Sequence, residues 1–137
     1  MLDSFINEFN VGDSVPPAQY SPLVLAYIGD CVFELYVRTY LIREKNAHVK
    51  DLHRAAANLV NNKSQSDLYM KIKDILTEEE EAVYKRGRNT NSRPPKNAVL
   101  RDYKSATGIE ALIGYLYLMK NSDRIKFLMK YLIDDLD

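Results

Sequence analysis

No stretch of this chain alternates apolar and polar residues long enough to make a half-buried strand, so helices must carry the fold. The punctuation agrees. Among 137 residues there are only five glycines and five prolines, and four of the prolines stand in two pairs, Pro16-Pro17 and Pro94-Pro95. Ser21-Pro22 reads as an N-cap followed by a first-turn proline. It opens a helix to about Glu44, with Leu25, Ile28, Val32 and Leu35 on its apolar face. A second helix is expected over roughly 49–61. Ser64 with Asp67 resembles a capping box that opens a third, to about Ile75. Thr77 with Glu80 is the full capping-box pattern. Its helix begins with Glu78 to Glu81 and ends in Lys85, Arg86 and Arg88, charges that complement the helix dipole. Gly87 is read as its stop. A fifth helix is expected over about 99–120 and a sixth from Ser122 to about Leu136. The fold class is all-α.

The length suits one domain over 1–137, and apolar residues at 46% are enough for a core. Residues 1–19 carry Asp3, Glu8 and Asp13 with no base, and are read as an N-terminal arm. Residues 87–97 are read as an exposed basic loop around Pro94-Pro95. The whole chain has 19 basic and 19 acidic residues, which excludes a wholly basic nucleic-acid coat and an acidic disordered tail. The lone Cys31 can form no internal disulfide and is read as a core thiol, which points to a reducing compartment. Cys31, His48 and His53 are too few for a zinc framework. Met1-Leu2-Asp3-Ser4 shows no signal pattern, and the longest apolar run, Ala111 to Met119, is far short of a bilayer span. A cytoplasmic protein without membrane contact is expected.

Three features carry candidate chemistry. Gly29-Asp30 interrupts an apolar helical run, although each residue costs a helix interior about 0.5–1 kcal/mol relative to alanine. Glu34 stands one turn on, either beside Asp30 or paired with Arg38 at i+4. Glu110 sits in Ile109-Glu110-Ala111-Leu112-Ile113-Gly114, with no base within the next turn. It needs a partner from another helix, either an arginine or a metal. Gly114, on the same face, would let a backbone or an ion come close. Two acids on two core helices suit a hard divalent cation such as Mg²⁺, completed by water. Finally, residues 85–104 hold seven bases against one acid, Asp102. Interleaved with Asn89, Thr90, Asn91, Ser92 and Asn97, they form a strip suited to a polyanion. The plainer alternative is a solvated loop that balances the preceding glutamates.

These residues also resemble a family. Leu25-Ala26-Tyr27-Ile28-Gly29-Asp30-Cys31-Val32-Phe33-Glu34-Leu35 resembles the signature helix of ribonuclease III. Ala106-Thr107-Gly108-Ile109-Glu110-Ala111-Leu112-Ile113-Gly114-Tyr115 resembles its second metal-binding helix. Leu59 to Leu68 fits the junction between them, and Thr77 to Asn89 is similar to the small branch called Mini-ribonuclease III, which has the catalytic domain alone. The resemblance covers about residues 20–133. It implies a homodimeric helical bundle and a Mg²⁺-dependent endoribonuclease for double-stranded RNA. It further implies 5′-phosphate and 3′-hydroxyl products and a role in maturing the ends of precursor large-subunit (23S) ribosomal RNA, with or without a ribosomal-protein helper. Asp30 and Glu110 match family metal ligands and catalytic positions. Leu23, Ala26 and Thr107 stand where larger members carry further carboxylates, so one firmly held ion is expected. Thr107 is a candidate to hold a coordinating water and Glu34 to support the site from behind. Lys85, Arg86, Arg88, Arg93 and Lys96 are the expected RNA contacts. Three rivals remain: an inactive helical dimer that binds structured RNA or ribosomal partners, a plain interaction domain with Asp30 and Glu110 in buried ion pairs, and a nucleotide metallophosphohydrolase, which lacks the His-Asp ligand pairs it would need.

Overall fold

The computed structural model describes residues 15–134. Six α-helices follow one another: α1 (Pro22–Glu44), α2 (Val49–Leu59), α3 (Asn62–Ile72), α4 (Glu78–Arg88), α5 (Leu100–Leu118) and α6 (Ser122–Ile133). Short 3-10 turns lie at Pro17–Gln19 and Lys73–Ile75. No strand occurs among the described residues, and the fold is all-α as expected. Residues 1–14 of the N-terminal arm, and Leu136 at the expected end of the last helix, lie outside the described residues.

Local chemistry sets the boundaries. The Ser21 hydroxyl accepts from the Val24 amide at 3.3 Å. Both arms of the Thr77–Glu80 capping box form, at 3.1 and 2.9 Å. Two readings need correction. The cap of α3 is Asn61, whose Oδ1 accepts from the Ser64 amide at 2.8 Å. Its Nδ2 also donates to the carbonyls of Ala57 and Asn58, so one side chain closes α2 and opens α3. Ser64 and Asp67 are therefore inside the helix; the Ser64 hydroxyl donates to the Asn58 carbonyl and Asp67 pairs with Lys63. Gly87 does not stop α4, which runs on to Arg88. It is buried, and a Cβ there would press on Ala111 and Gly108 of α5.

Helix α5 is the centre. From Ser105 to Leu116 every residue is buried except Glu110. Such a helix is apolar or small on all sides and must be surrounded; α1, α3, α4 and α6 all pack on it. The closest approach is to α1. A Cβ at Gly29 would coincide with the carbonyl of Glu110, and one at Gly114 would coincide with the carbonyl of Leu25. The two backbones touch through paired glycines. This contact fixes the buried face of α1 as Leu25, Ala26, Gly29, Val32, Phe33 and Val37. Leu35, expected inside, is 52% exposed because the helix turns Gly29 toward α5.

The other side of α5 is held by α4. Tyr84 lies over Gly108, shares a 2.7 Å hydrogen bond with Ser105, and stacks at 3.7 Å on Tyr69 of α3. The first turn of α4 is tied to α6 by an ion pair in which Arg124 donates twice to Glu80, both at 2.8 Å, and once to the Ile75 carbonyl. Burial alone would push the Glu80 carboxyl up, but the bonds from Arg124 and Thr77 outweigh it and hold the carboxyl below its usual range.

Replacing Gly114 by alanine forces a methyl group against backbone that has no rotamer to yield. The loss in denaturant unfolding should reach or exceed the ~1–3 kcal/mol of ordinary overpacking. Unchanged stability of Gly114→Ala would show that the helices can separate freely at this point.

Candidate active site

The glycine contact decides where the acids stand. Asp30 follows Gly29, and the backbone atom that Gly29 meets belongs to Glu110. Their carboxyl groups come within hydrogen-bonding reach of each other across the α1–α5 seam. Asp30 is exposed and Glu110 half-buried, and both line one open cleft. Leu23, Ala26 and Thr107 line the same cleft, so the positions read as lacking carboxylates do surround the acid pair. Cys31 is there too, and exposed; it is not the core thiol expected, because the position after Asp30 turns away from α5.

The electrostatics of the pair are unbalanced. Burial, then the hydrogen bond that the protonated Glu110 donates to Asp30 and the negative charge of Asp30, push the Glu110 carboxyl up to about 8, while the Gln65 amide opposes them. No lysine or arginine among the described residues acts on it. The reading with Asp30 and Glu110 in buried ion pairs is therefore overturned among the described residues: neither acid pairs with a base. Two oxygen-donor side chains at the mouth of a cleft, one of them reluctant to ionise without a cation, fit a hard divalent ion. No group of three His, Cys, Asp or Glu suited to a metal occurs among the described residues, so the protein itself offers two carboxylates here.

The surrounding residues sort by what they already bond. Glu34 accepts from Arg38 at 2.7 and 3.1 Å, the i+4 pairing, and turns away from the cleft. The Thr107 hydroxyl donates to the Tyr103 carbonyl at 3.1 Å and retains its lone pairs. His48 and His53 are exposed, apart from the cleft. In the basic strip, Lys85 is loosely paired with Glu81 at 3.7 Å. Arg88 donates to Asn89 and lies over the Tyr84 ring. Arg86 is committed elsewhere: its guanidinium donates to the carbonyls of Ala18 at 2.8 Å and Tyr20 at 3.3 Å, tying down the segment before α1. Arg93 and Lys96 are exposed and form no ion pair among the described residues. The Tyr103 hydroxyl, on the cleft wall, donates to the Arg93 carbonyl at 3.4 Å and so links the strip to the cleft.

Sequence reading missed Gln65. It is buried on α3 in line with Leu68 and Ile72 and faces Glu110. A polar residue in the register of an apolar stripe is the signal that could have found it.

Glu110 also sets a pH dependence for the cation-free protein. Its carboxyl is raised from 4.5 in the open chain to about 8 in the folded one. Between those values the folded state keeps a proton the unfolded state has lost, so stability falls as pH rises across that window. Thermal unfolding in chelator should show this slope in the wild type and lose much of it in Glu110→Gln. Equal slopes would mean that the glutamate ionises freely.

The Ribonuclease III domain family matches residues 23–121, a span that contains α1 through α5 and both acids. The chain is 47% identical over 118 residues to a Mini-ribonuclease 3 of Clostridium tetani, covering 85% of this chain and 78% of that one. It is 44% identical to a Mini-ribonuclease 3 of Thermoanaerobacter, covering 80% and 78%, and 42% identical to that of Enterococcus faecalis, covering 84% and 89%. A crystal structure of a Fusobacterium nucleatum protein superposes with a TM-score of 0.78 at 36% identity, over 84% of this chain and 94% of that one. With family match, relatives and fold in agreement over most of its length, the chain belongs to the ribonuclease III family, in its Mini-ribonuclease 3 branch, and is an endoribonuclease.

Proposed function

We propose that this endoribonuclease cuts double-stranded RNA with one Mg²⁺ held by Asp30 and Glu110, leaving 5′-phosphate and 3′-hydroxyl ends. The observation that carries this reading is the carboxylate pair itself, two acids brought together with no base among the described residues to balance them. When bound there, Mg²⁺ supplies Lewis acidity, activating water and offsetting charge on the scissile phosphate. The chain's own part is to present two oxygen donors on backbones locked together by Gly29 and Gly114. Thr107 lines the same cleft and offers an acceptor for a coordinating water. Glu34, engaged by Arg38, supports the site only through α1.

Duplex RNA presents phosphates and shape more than readable base edges, so affinity should be electrostatic. Lys85, Arg88, Arg93 and Lys96 are the proposed contacts. Arg86 contributes through the segment it ties down. We read the active form as a homodimer, one site per strand. Exposed apolar residues beside the cleft support this: Tyr27 is 82% exposed and Leu23 and Val24 nearly half. The substrate proposed is precursor 23S ribosomal RNA in the cytoplasm, as the branch resemblance implies, with any helper protein left to experiment. No helix among the described residues is long and apolar enough to cross a membrane. The reduced acid set favours one second reading, a helical dimer that binds structured RNA without cutting it.

Long duplex RNA incubated with the purified protein separates the two. Mg²⁺-dependent cutting should yield 5′-phosphate ends and fall at least about 100-fold in folded Asp30→Asn and Glu110→Gln. Neutralising Lys85, Arg88, Arg93 and Lys96 together should weaken binding and flatten its salt slope by roughly one unit per lost phosphate contact. Tight binding without cutting would select the second reading.

A further inference from the structure

Gln65 occupies a place where a leucine would pack better. On α3 it stands three residues before Leu68 and seven before Ile72, which are both 1% exposed, and it is itself only 3% exposed. Its side-chain Nε2 is buried and reaches no acceptor in full hydrogen-bond geometry among the described residues, although it lies near enough to the Glu110 carboxyl to favour its ionised form. A buried N–H left without an acceptor calls for an explanation. Helix α3 packs along α5, and the amide faces the carboxyl group of Glu110. Around that carboxyl the described residues supply one acid, Asp30, and one neutral donor, Gln65, with no base.

The choice of a neutral donor is chemically specific. A lysine or arginine in this place would balance Glu110 by itself and compete with a cation for the carboxylate. An amide N–H can fix the orientation of an ionised carboxylate and leave its charge available. We propose that Gln65 is a positioning residue for the cation site: its Nε2 donates to the Glu110 carboxylate when a divalent ion is bound, and so holds the remaining lone pairs toward the cleft and Asp30. This inference rests on the proposed Asp30–Glu110 cation site and adds a third helix, α3, to its construction. It assigns Gln65 no contact with RNA, because the side chain is enclosed.

The test is calorimetric titration of Mn²⁺ into the intact protein without RNA, for wild type, Gln65→Met and Glu110→Gln, with melting of each in chelator. Methionine keeps the volume and removes the donor. Gln65→Met should bind Mn²⁺ about 10- to 100-fold more weakly. It should melt in chelator at or above the wild-type temperature, because an unpartnered polar group is gone. A merely structural glutamine would give the opposite, unchanged affinity with altered melting. The wild-type protein supplies a second readout that does not depend on any variant folding: the side-chain amide protons of Gln65 should shift by NMR as Mg²⁺ is added. Mn²⁺ binding that is lost in Glu110→Gln but within about twofold of wild type in Gln65→Met would overturn the role of Gln65 alone. An unmoved Gln65 amide signal on saturation with Mg²⁺ would do the same. Wild type that binds no Mn²⁺ would overturn the cation site and this inference with it.

Discussion

Two helices of this protein touch backbone to backbone, through Gly29 on α1 and Gly114 on α5. A side chain at either position would have to share space with a carbonyl of the other helix. The contact gives up the packing that larger residues would provide, and what it gains is proximity. It sets the rotation of α1, which turns Leu25, Phe33 and Val37 inward. It also brings the residue after Gly29 against the residue whose carbonyl Gly29 meets, so that Asp30 and Glu110 become neighbours. Fold and site therefore have a common cause. The remaining helices keep α5 in place: Tyr84 and Gly108 on one flank, and the Glu80–Arg124 pair that ties α4 to α6.

Much of this is legible in the residues, and the parts that are not have physical reasons. The capping pattern of Thr77 and Glu80 is local chemistry, and it forms as written. Asn61 is also a local cap, but it serves two helices at once, and the more familiar Ser64-x-x-Asp67 pattern hides it. Gly87 and Leu35 depart from the sequence expectation for a shared reason. A glycine near a helix end reads as a stop and a leucine at helical spacing reads as core, yet tertiary contacts with α5 decide both. Gly29-Asp30 and Glu110 stood out because each breaks a helical or apolar preference. That the two would meet follows only from the close crossing. The bonds of Arg86 to Ala18 and Tyr20 join residues far apart in sequence, so no local reading could separate it from its basic neighbours.

The charge pattern of the site follows a consistent logic. Where larger relatives are read as placing carboxylates, this chain has Leu23, Ala26 and Thr107 around the same cleft. Fewer acids mean less mutual repulsion within the cleft and fewer donors for an ion. Burial raises the Glu110 carboxyl, which under the proposed function would ionise mainly with a cation beside it. Keeping bases away from the pair serves the same end. The bases are concentrated instead on the strip beyond α4, which Tyr103 links to the cleft wall. The proposed surfaces for a polyanion and for a cation are thus adjacent but separate.

Under the proposed function, the glycine-locked seam of α1 and α5 builds a divalent-cation site from two carboxylates. Anomalous diffraction from crystals soaked in Mn²⁺ tests it most directly. A peak is expected in each chain between the carboxylates of Asp30 and Glu110, coordinated by both. Manganese bound elsewhere on the chain, with no peak between these two residues, would contradict it.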